Sequence, residues 1–298
     1  MKQQNLGVPF AFITVLFIWS TTPLAIKWSA ADTPMFSVLI RMIIGTMFSL
    51  VVLGLTTTSL PLSAKSIQLY VFNGLSIFFG MSLFYLAAQT IPSGWIAVLF
   101  GLSPLLTGLV SSFVEPENKL TSIRVLGILF GLTGLFLVFY TGLNVNEASL
   151  IGVIYSLIGT LLSSITSVIT RQLVKPMQLS GMQVTTGSLI VALPFFALAA
   201  WLSPSSFDAQ LSTRALWSTI YLGLIGTGVG FSLYYYLLKH TSATNVSLIA
   251  LVTPITALIL GSWLNAEPLI ANVWIGAGLV CFGLILYEFK PKLGLRKL

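Results

Sequence analysis

Residues 80–85 read Gly-Met-Ser-Leu-Phe-Tyr, and residues 230–235 read Gly-Phe-Ser-Leu-Tyr-Tyr. Held at that shift of 150 positions, Gly80 to Gly230, the register continues without a gap. Gly80, Ser82, Leu83, Tyr85, Pro104, Ser112 and Glu117 fall on Gly230, Ser232, Leu233, Tyr235, Pro254, Ser262 and Glu267. A slip of one residue then brings Gly127 and Gly134 onto Gly276 and Gly283. Apolar sequences share Leu and Val by chance. A Gly/Ser/Tyr/Pro/Glu pattern in one frame points instead to a duplicated unit.

The composition says what that unit is made for. Of 298 residues 56% are hydrophobic and 7% charged, against roughly 25% charged in a soluble domain. Fourteen Lys+Arg and seven Asp+Glu are too few to clothe a water-facing surface, so the apolar excess faces lipid. One Cys (Cys281) and one His (His240) exclude an internal disulfide and leave no ligand set for zinc or an iron-sulfur cluster, so no metal and no cofactor is expected. The net charge of +7 reads as a topology signal in short loops, with no nucleic-acid partner.

A crossing helix needs about 20 apolar residues. Ten such stretches are expected: 7–28, 34–55, 67–88, 93–114, 123–141, 150–173, 180–202, 214–237, 243–265 and 271–289. The connections are short, with Pro92, Pro116, Pro204 and Pro268 at or near helix boundaries and no room for a soluble domain. The first stretch, apolar from Leu6 to Ile26 and followed by Lys27, is too long for the 7–15-residue core of a secretory signal and reads as a retained span. Lys2, Lys65, Lys119, Arg124, Arg171, Lys175, Lys239, Lys290, Lys292, Arg296 and Lys297 share one side, with only Lys27 and Arg214 opposite. That bias predicts a multi-pass inner (plasma) membrane protein with both termini cytoplasmic. Five helices per copy is an odd number, so the copies must lie in opposite orientation. Gln89 and Lys239, at matched loop positions, carry the charge difference expected of such an inversion. The expected fold is all-α, ten transmembrane helices as two inverted five-helix repeats, 1–145 and 146–298.

Trp19-Ser20 with Lys27 in the first helix, Arg41 in the second, and Pro104 to Glu117 repeated as Pro254 to Glu267 resemble the drug/metabolite transporter superfamily, in its EamA-like ten-helix branch. The resemblance covers the whole chain and departs at Ser20, where the family often has Gly. Members typically export metabolites, amino acids or drugs. The resemblance therefore implies a secondary transporter for small metabolites, amino acids or related amphipathic compounds. A channel-like facilitator or a drug efflux carrier is the alternative.

Inverted repeats place the substrate near the midplane where the halves meet, so polar and aromatic residues at that depth are the candidates. Trp19, Ser20 and Thr22, followed by Pro23, cluster in the first helix, and Ser163 and Ser164 lie at similar depth in the sixth. Helix-to-helix hydrogen bonding and a pocket lining explain the first-helix cluster equally well, and the hydroxyls at similar depth in the sixth favour a lined cavity. Asn73 and Tyr234 sit deep enough to line a pocket, whereas Tyr85 and Tyr235, nearer span ends, read as interfacial anchors or gates. Trp95 and Asn245 open the fourth and ninth helices at matched depth, where each could cap or gate. Arg41, about 10 Å inside its span, reads as a gate or structural pair, with a stem long enough to snorkel outward. Pro104 and Pro254, matched at mid-span, are expected to kink their helices. Gly226-x-Gly228-x-Gly230 reads as close packing, because no strand precedes it and no Lys follows.

An enzyme would need a nucleophile and base, paired acids or metal ligands within reach, and a channel would want charge rings or a carbonyl filter. The sequence offers neither pattern, nor a mid-span acid for a carboxylate proton relay. The expected partners are a small-molecule substrate and the lipid bilayer, for a monomer or a homodimer.

Overall fold

The computed structural model describes residues 7–31, 33–114, 121–140, 147–174, 177, 179–203, 211–240, 243–267 and 271–288, excepting the side chains of 139–140, 171, 174, 235, 238–240, 243–248, 250–251 and 288. Among these residues there is no strand. The helices are α1 (Gly7–Ser29), α2 (Pro34–Leu55), α3 (Ala64–Thr90), α4 (Ser93–Gly101), α5 (Ser103–Val114), α6 (Ser122–Tyr140) and α7 (Glu147–Val174). They continue as α8 (Gly181–Leu202), α9 (Thr213–Tyr221), a π-helical segment (Leu222–Val229), α10 (Gly230–His240), α11 (Ala243–Asn265) and α12 (Ala271–Glu288). All ten expected stretches are helical where described, apart from the turn at Leu102 and the capping Ser180. Seven are long and apolar enough to cross a membrane, α4 with α5, and α9 with the π segment and the start of α10, each counting as one. Ser122–Val138, Val252–Asn265 and Ala271–Tyr287 are apolar but shorter.

Helices are what such a sequence must form, because lipid offers no partner to a free backbone N–H or C=O. Their starts carry capping side chains: Ser63 accepts from Ser66 N, Ser212 from Ala215 N, and Ser180 with Gln183 forms a reciprocal capping box. Large apolar residues at three- and four-residue spacing stay exposed, such as Phe10, Ile13 and Phe17 on α1, or Ile151, Ile154, Ile158 and Leu161 on α7. These stripes are the lipid-facing sides of their helices.

Two helices break the regular pattern. The matched prolines behave differently: a break at Leu102, whose N–H turns back to Leu99 O at 3.2 Å, separates α4 from α5 just before Pro104, whereas Pro254 lies inside an uninterrupted α11. A kink expected at both positions is therefore a helix break at one of them. The second irregularity is the π segment, which the apolar run around Gly226 did not announce.

Inside the bundle α6 packs lengthwise on α12, α1 on α9, α10 and α11, and α7 on α3, α4 and α5. The π segment and α9 lie on α2, α3 lies on α8, and two further pairs are α2 with α8 and α4 with α11. The α6–α12 contact is backbone on backbone. A methyl on Gly127 would fall 2.6 Å from Gly283 O, and one on Gly276 would fall 2.5 Å from Gly134 O. Gly127 meets Gly283 while Gly134 meets Gly276, so the two helices run antiparallel. Small residues let backbones approach this closely, which is how helices gain attraction in lipid.

Gly276→Ala should therefore lower the melting temperature of the detergent-purified protein, at about 1–3 kcal/mol for overpacking against backbone. Gly278→Ala, with nothing within 4 Å of its new methyl, should leave it unchanged or raise it through helix propensity. Equal effects at the two glycines would refute the close-contact account.

Candidate functional site

Trp19 lies at the centre of an aromatic chain. Its ring centroid is 4.8 Å from that of Tyr234 on α10 and 6.4 Å, edge-on, from Phe100 on α4. Phe100 in turn meets Phe84 of α3 edge-to-face at 5.7 Å. Such geometries suit the ring quadrupoles. Trp19, Phe100 and Tyr234 are half-buried, so part of each ring is left uncovered. Phe84 and Tyr234 occupy equivalent positions under the 150-residue shift, so the chain's two ends are matched rings, one from each copy.

The hydroxyls read from the sequence mostly serve as joints. Ser20 donates to Leu16 O at 2.7 Å and accepts from Thr256 Oγ1 at 2.6 Å, tying α1 to α11. Ser164 donates to Thr160 O (2.8 Å) and to Ser103 O (3.2 Å), tying α7 to the α4–α5 break. Thr22 closes on Ile18 O at 2.7 Å, and its neighbour Thr21 shares a 2.6 Å hydrogen bond with Tyr221. The buried Asn73 accepts from Thr170 Oγ1 at 2.5 Å and keeps an unpartnered Nδ2. Ser163 is half-buried on α7, and Trp95 is buried in the first turn of α4. The side chains of Asn245 and Tyr235 lie outside the described residues. Among the described candidates, then, the structure joins Trp19 to Tyr234 and places Ser20 and Ser164 in interhelical bonds.

Arg41 does not snorkel. It is 1% exposed, with Nε donating to Thr227 Oγ1 of the π segment at 3.1 Å and its guanidinium carbon 6.0 Å from the Tyr85 ring centroid. Tyr85 is correspondingly not an interfacial anchor: it is fully buried, and its hydroxyl accepts from Ser29 Oγ at 3.1 Å. Proximity to a helix end misled the sequence reading, because that end is covered by α1 and α2 rather than by headgroups. Thr227, Phe84 and Phe100 were missed. The repeat could have pointed to Phe84 as the counterpart of Tyr234; nothing local marks Thr227.

A second polar cluster closes the bundle at the turn between α3 and α4. Lys27 Nζ donates to Ala88 O (2.6 Å) and Ile91 O (3.0 Å), at the carbonyl end of α3. Glu267 takes the amide end of α4, accepting from Ser93 N (3.0 Å), Ser93 Oγ (2.9 Å) and Gly94 N (3.2 Å). Each charge thus meets the helix dipole of opposite sign. Glu267 reaches this position because α11 ends in a reversed turn: Ala266 has φ 50°, and Glu267 N–H returns to Gly261 O at 3.2 Å. Asn265 Nδ2 holds the carboxylate at 3.0 Å, and its Oδ1 accepts from Trp28 Nε1 at 2.9 Å. Arg214 of α9 completes the cluster, 5.4 Å above the Trp28 ring. The clasp joins α1, α3, α4, α9 and α11.

The EamA-like transporter family matches residues 5–140 and, a second time, residues 150–289. The chain belongs to that family. Relatives carry the same class of name: an uncharacterized transporter, YoaV, of Bacillus subtilis is 26% identical over 95% of this chain and 97% of its own. The uncharacterized inner membrane transporter YedA of Escherichia coli is 26% identical over 66% of this chain and 62% of its own. Protein PecM of Dickeya dadantii is 23% identical over 88% of each chain. A solved crystal structure superposes with a TM-score of 0.71 over 95% of this chain and 96% of its own, at 19% identity, which speaks to the fold. The chain is accordingly a multi-pass membrane protein of a transporter family.

Removing the clasp carboxylate has a definite consequence. Glu267→Ala strands the Ser93 and Gly94 amides and should lower stability by about 1–3 kcal/mol, the cost of unsatisfied buried donors. Ala266→Gly relaxes the left-handed residue and should stabilise by up to about 1 kcal/mol. Thermal unfolding in detergent reads both, and an Ala variant as stable as wild type would count against the clasp.

Proposed function

We propose that this chain is a secondary carrier that exports small metabolites, amino acids or related amphipathic compounds, across the inner membrane by alternating access. The observation that carries the reading is the chain of rings from Tyr234 through Trp19 and Phe100 to Phe84. It joins the two matched halves, where inverted-repeat carriers hold their substrates, and it leaves partly uncovered aromatic faces for an amphipathic ligand.

The packing pattern supports two inverted five-helix units, 1–145 and 146–298, with ten spans. Exchanging the copies turns the contact of α1 with α9–α10 into that of α7 with α3. It likewise turns α2 with the π segment into α8 with α3. The Gly127–Gly283 and Gly134–Gly276 contacts exchange with each other in the same way. With the eleven-to-two basic asymmetry placing both termini in the cytoplasm, the Lys27–Glu267 clasp closes the outer end. Opening outward then means parting Glu267 from α4, and the break before Pro104 is the natural place for α4 to move on α5.

Cells overexpressing the chain should tolerate, and release, selected members of a panel of amino acids and metabolites. Trp19→Ala should cut that export at least severalfold with unchanged membrane abundance. Reporters fused after Lys65, Lys175 and the C-terminus should act as cytoplasmic. No export of any panel member, or undiminished export by the Trp19 variant, would remove the carrier reading as stated.

A further inference from the structure

Arg41 is a buried cation with a donor left over. Thr227 takes Nε and the Tyr85 ring stands 6.0 Å away, while Nη1 is buried without a hydrogen-bond partner. No described carboxylate pairs with it, and all seven Asp and Glu of the sequence lie at helix ends or in connections. A guanidinium in so apolar a place is costly unless an anion joins it.

Gly226 lies beside the guanidinium. A methyl there would meet Leu222 of its own segment at 3.4 Å and Arg41 Nη2 at 3.9 Å, ordinary contacts that displace nothing. The neighbouring glycines differ: at Gly223 a methyl would strike Ile44 at 2.7 Å, and at Gly228 it would strike the Phe48 ring. Gly223 and Gly228 are thus packing glycines, whereas Gly226 has the clearance for a methyl. About one turn on, roughly 6 Å along the axis, Gly230 packs closely against Ile225 O and Ile18, with Trp19 Nε1 3.7 Å from where its methyl would be. The π-helical register of Leu222–Val229 carries Thr227 to Arg41 while leaving Gly226 beside the guanidinium. Such wide turns are frequent where a helix serves a ligand.

We propose that Arg41 seats the carboxylate of a small amphipathic substrate at its unpartnered Nη1, the substrate's apolar or aromatic body lying against Trp19 and Tyr234. The guanidinium edge offers the planar fork that a carboxylate fits, and Thr227 and Tyr85 hold that fork in orientation. The assignment rests on the carrier reading and narrows its substrate class to carboxylates with an apolar body.

The test uses the full chain purified in detergent and phenylacetate as the probe, followed by calorimetry. The comparison ligands are 2-phenylethanol, phenethylamine and inorganic phosphate, which remove in turn the charge, its sign and the apolar body. Phenylacetate should bind roughly tenfold more tightly than each, the scale of a charge-assisted bidentate contact. Arg41→Gln should erase that preference. Gly226→Ala should erase it too while melting like wild type, because its methyl meets only ordinary contacts yet stands against the guanidinium edge that receives the carboxylate; it keeps the test open if Arg41→Gln does not fold. A wild type that binds phenylacetate no better than the alcohol or phosphate overturns the proposal, as does a Gly226→Ala variant that retains the preference. Liposome flux separates the two readings. Selective binding without flux of any probe refutes the carrier and spares the seat. Flux of acid and alcohol alike, indifferent to Arg41, refutes the seat and spares the carrier.

Discussion

In hydrocarbon an unpaired polar group has no water to fall back on, and leaving one there costs several kcal/mol. Most of this bundle follows from that penalty. The apolar stretches are helical, and the hydroxyls within helices mostly bond to carbonyls one turn back, as Ser20, Thr22, Thr160 and Ser164 do. Charges sit where helix ends present the complementary dipole, Lys27 on the carbonyls of α3 and Glu267 on the amides of α4. Against that background the unpartnered Nη1 of Arg41 stands out, because the same penalty applies to it.

Where polar pairing is complete, association depends on how near two backbones can come. Gly127, Gly134, Gly276 and Gly283 bring α6 and α12 into backbone contact, and Gly45 with Gly223 does the same for α2 and the π segment. Dispersion between helices is collected at these points, since lipid tails are as apolar as Leu and provide no drive toward association. Glycine has two uses in this fold, and only the neighbours distinguish them. Gly228 lies against Phe48, whereas Gly226, two positions earlier, leaves clearance for a methyl beside the Arg41 guanidinium.

The aromatic site was partly legible because depth and residue type are both readable in sequence. Trp19 falls at mid-span, Tyr234 lies inside the end of its span, and the two meet in the bundle. Ser20 and Ser164, equally deep, are tied into interhelical bonds, and depth alone could not separate lining from joint. Tyr85 shows the opposite failure: a position near a helix end suggests headgroups only if that end is bare, and here neighbouring helices cover it. The matched Pro104 and Pro254 share a register without sharing a geometry. Ring and missing N–H are local properties, but whether the helix breaks depends on what packs beside it.

By itself the sequence determined the helical class, the membrane setting, the limits of the apolar stretches and the doubled register, because a low-dielectric solvent constrains length, composition and charge placement one segment at a time. The tertiary structure alone decided which polar groups are consumed and which are left over. Arg41 finds Thr227 across 186 positions, Glu267 finds Ser93 across 174, and Ser20 finds Thr256 across 236. The π turn belongs with these pairings. It depends on how Gly223, Gly226 and Thr227 fit against α2, and such a fit between distant segments leaves no periodicity in the chain to be read.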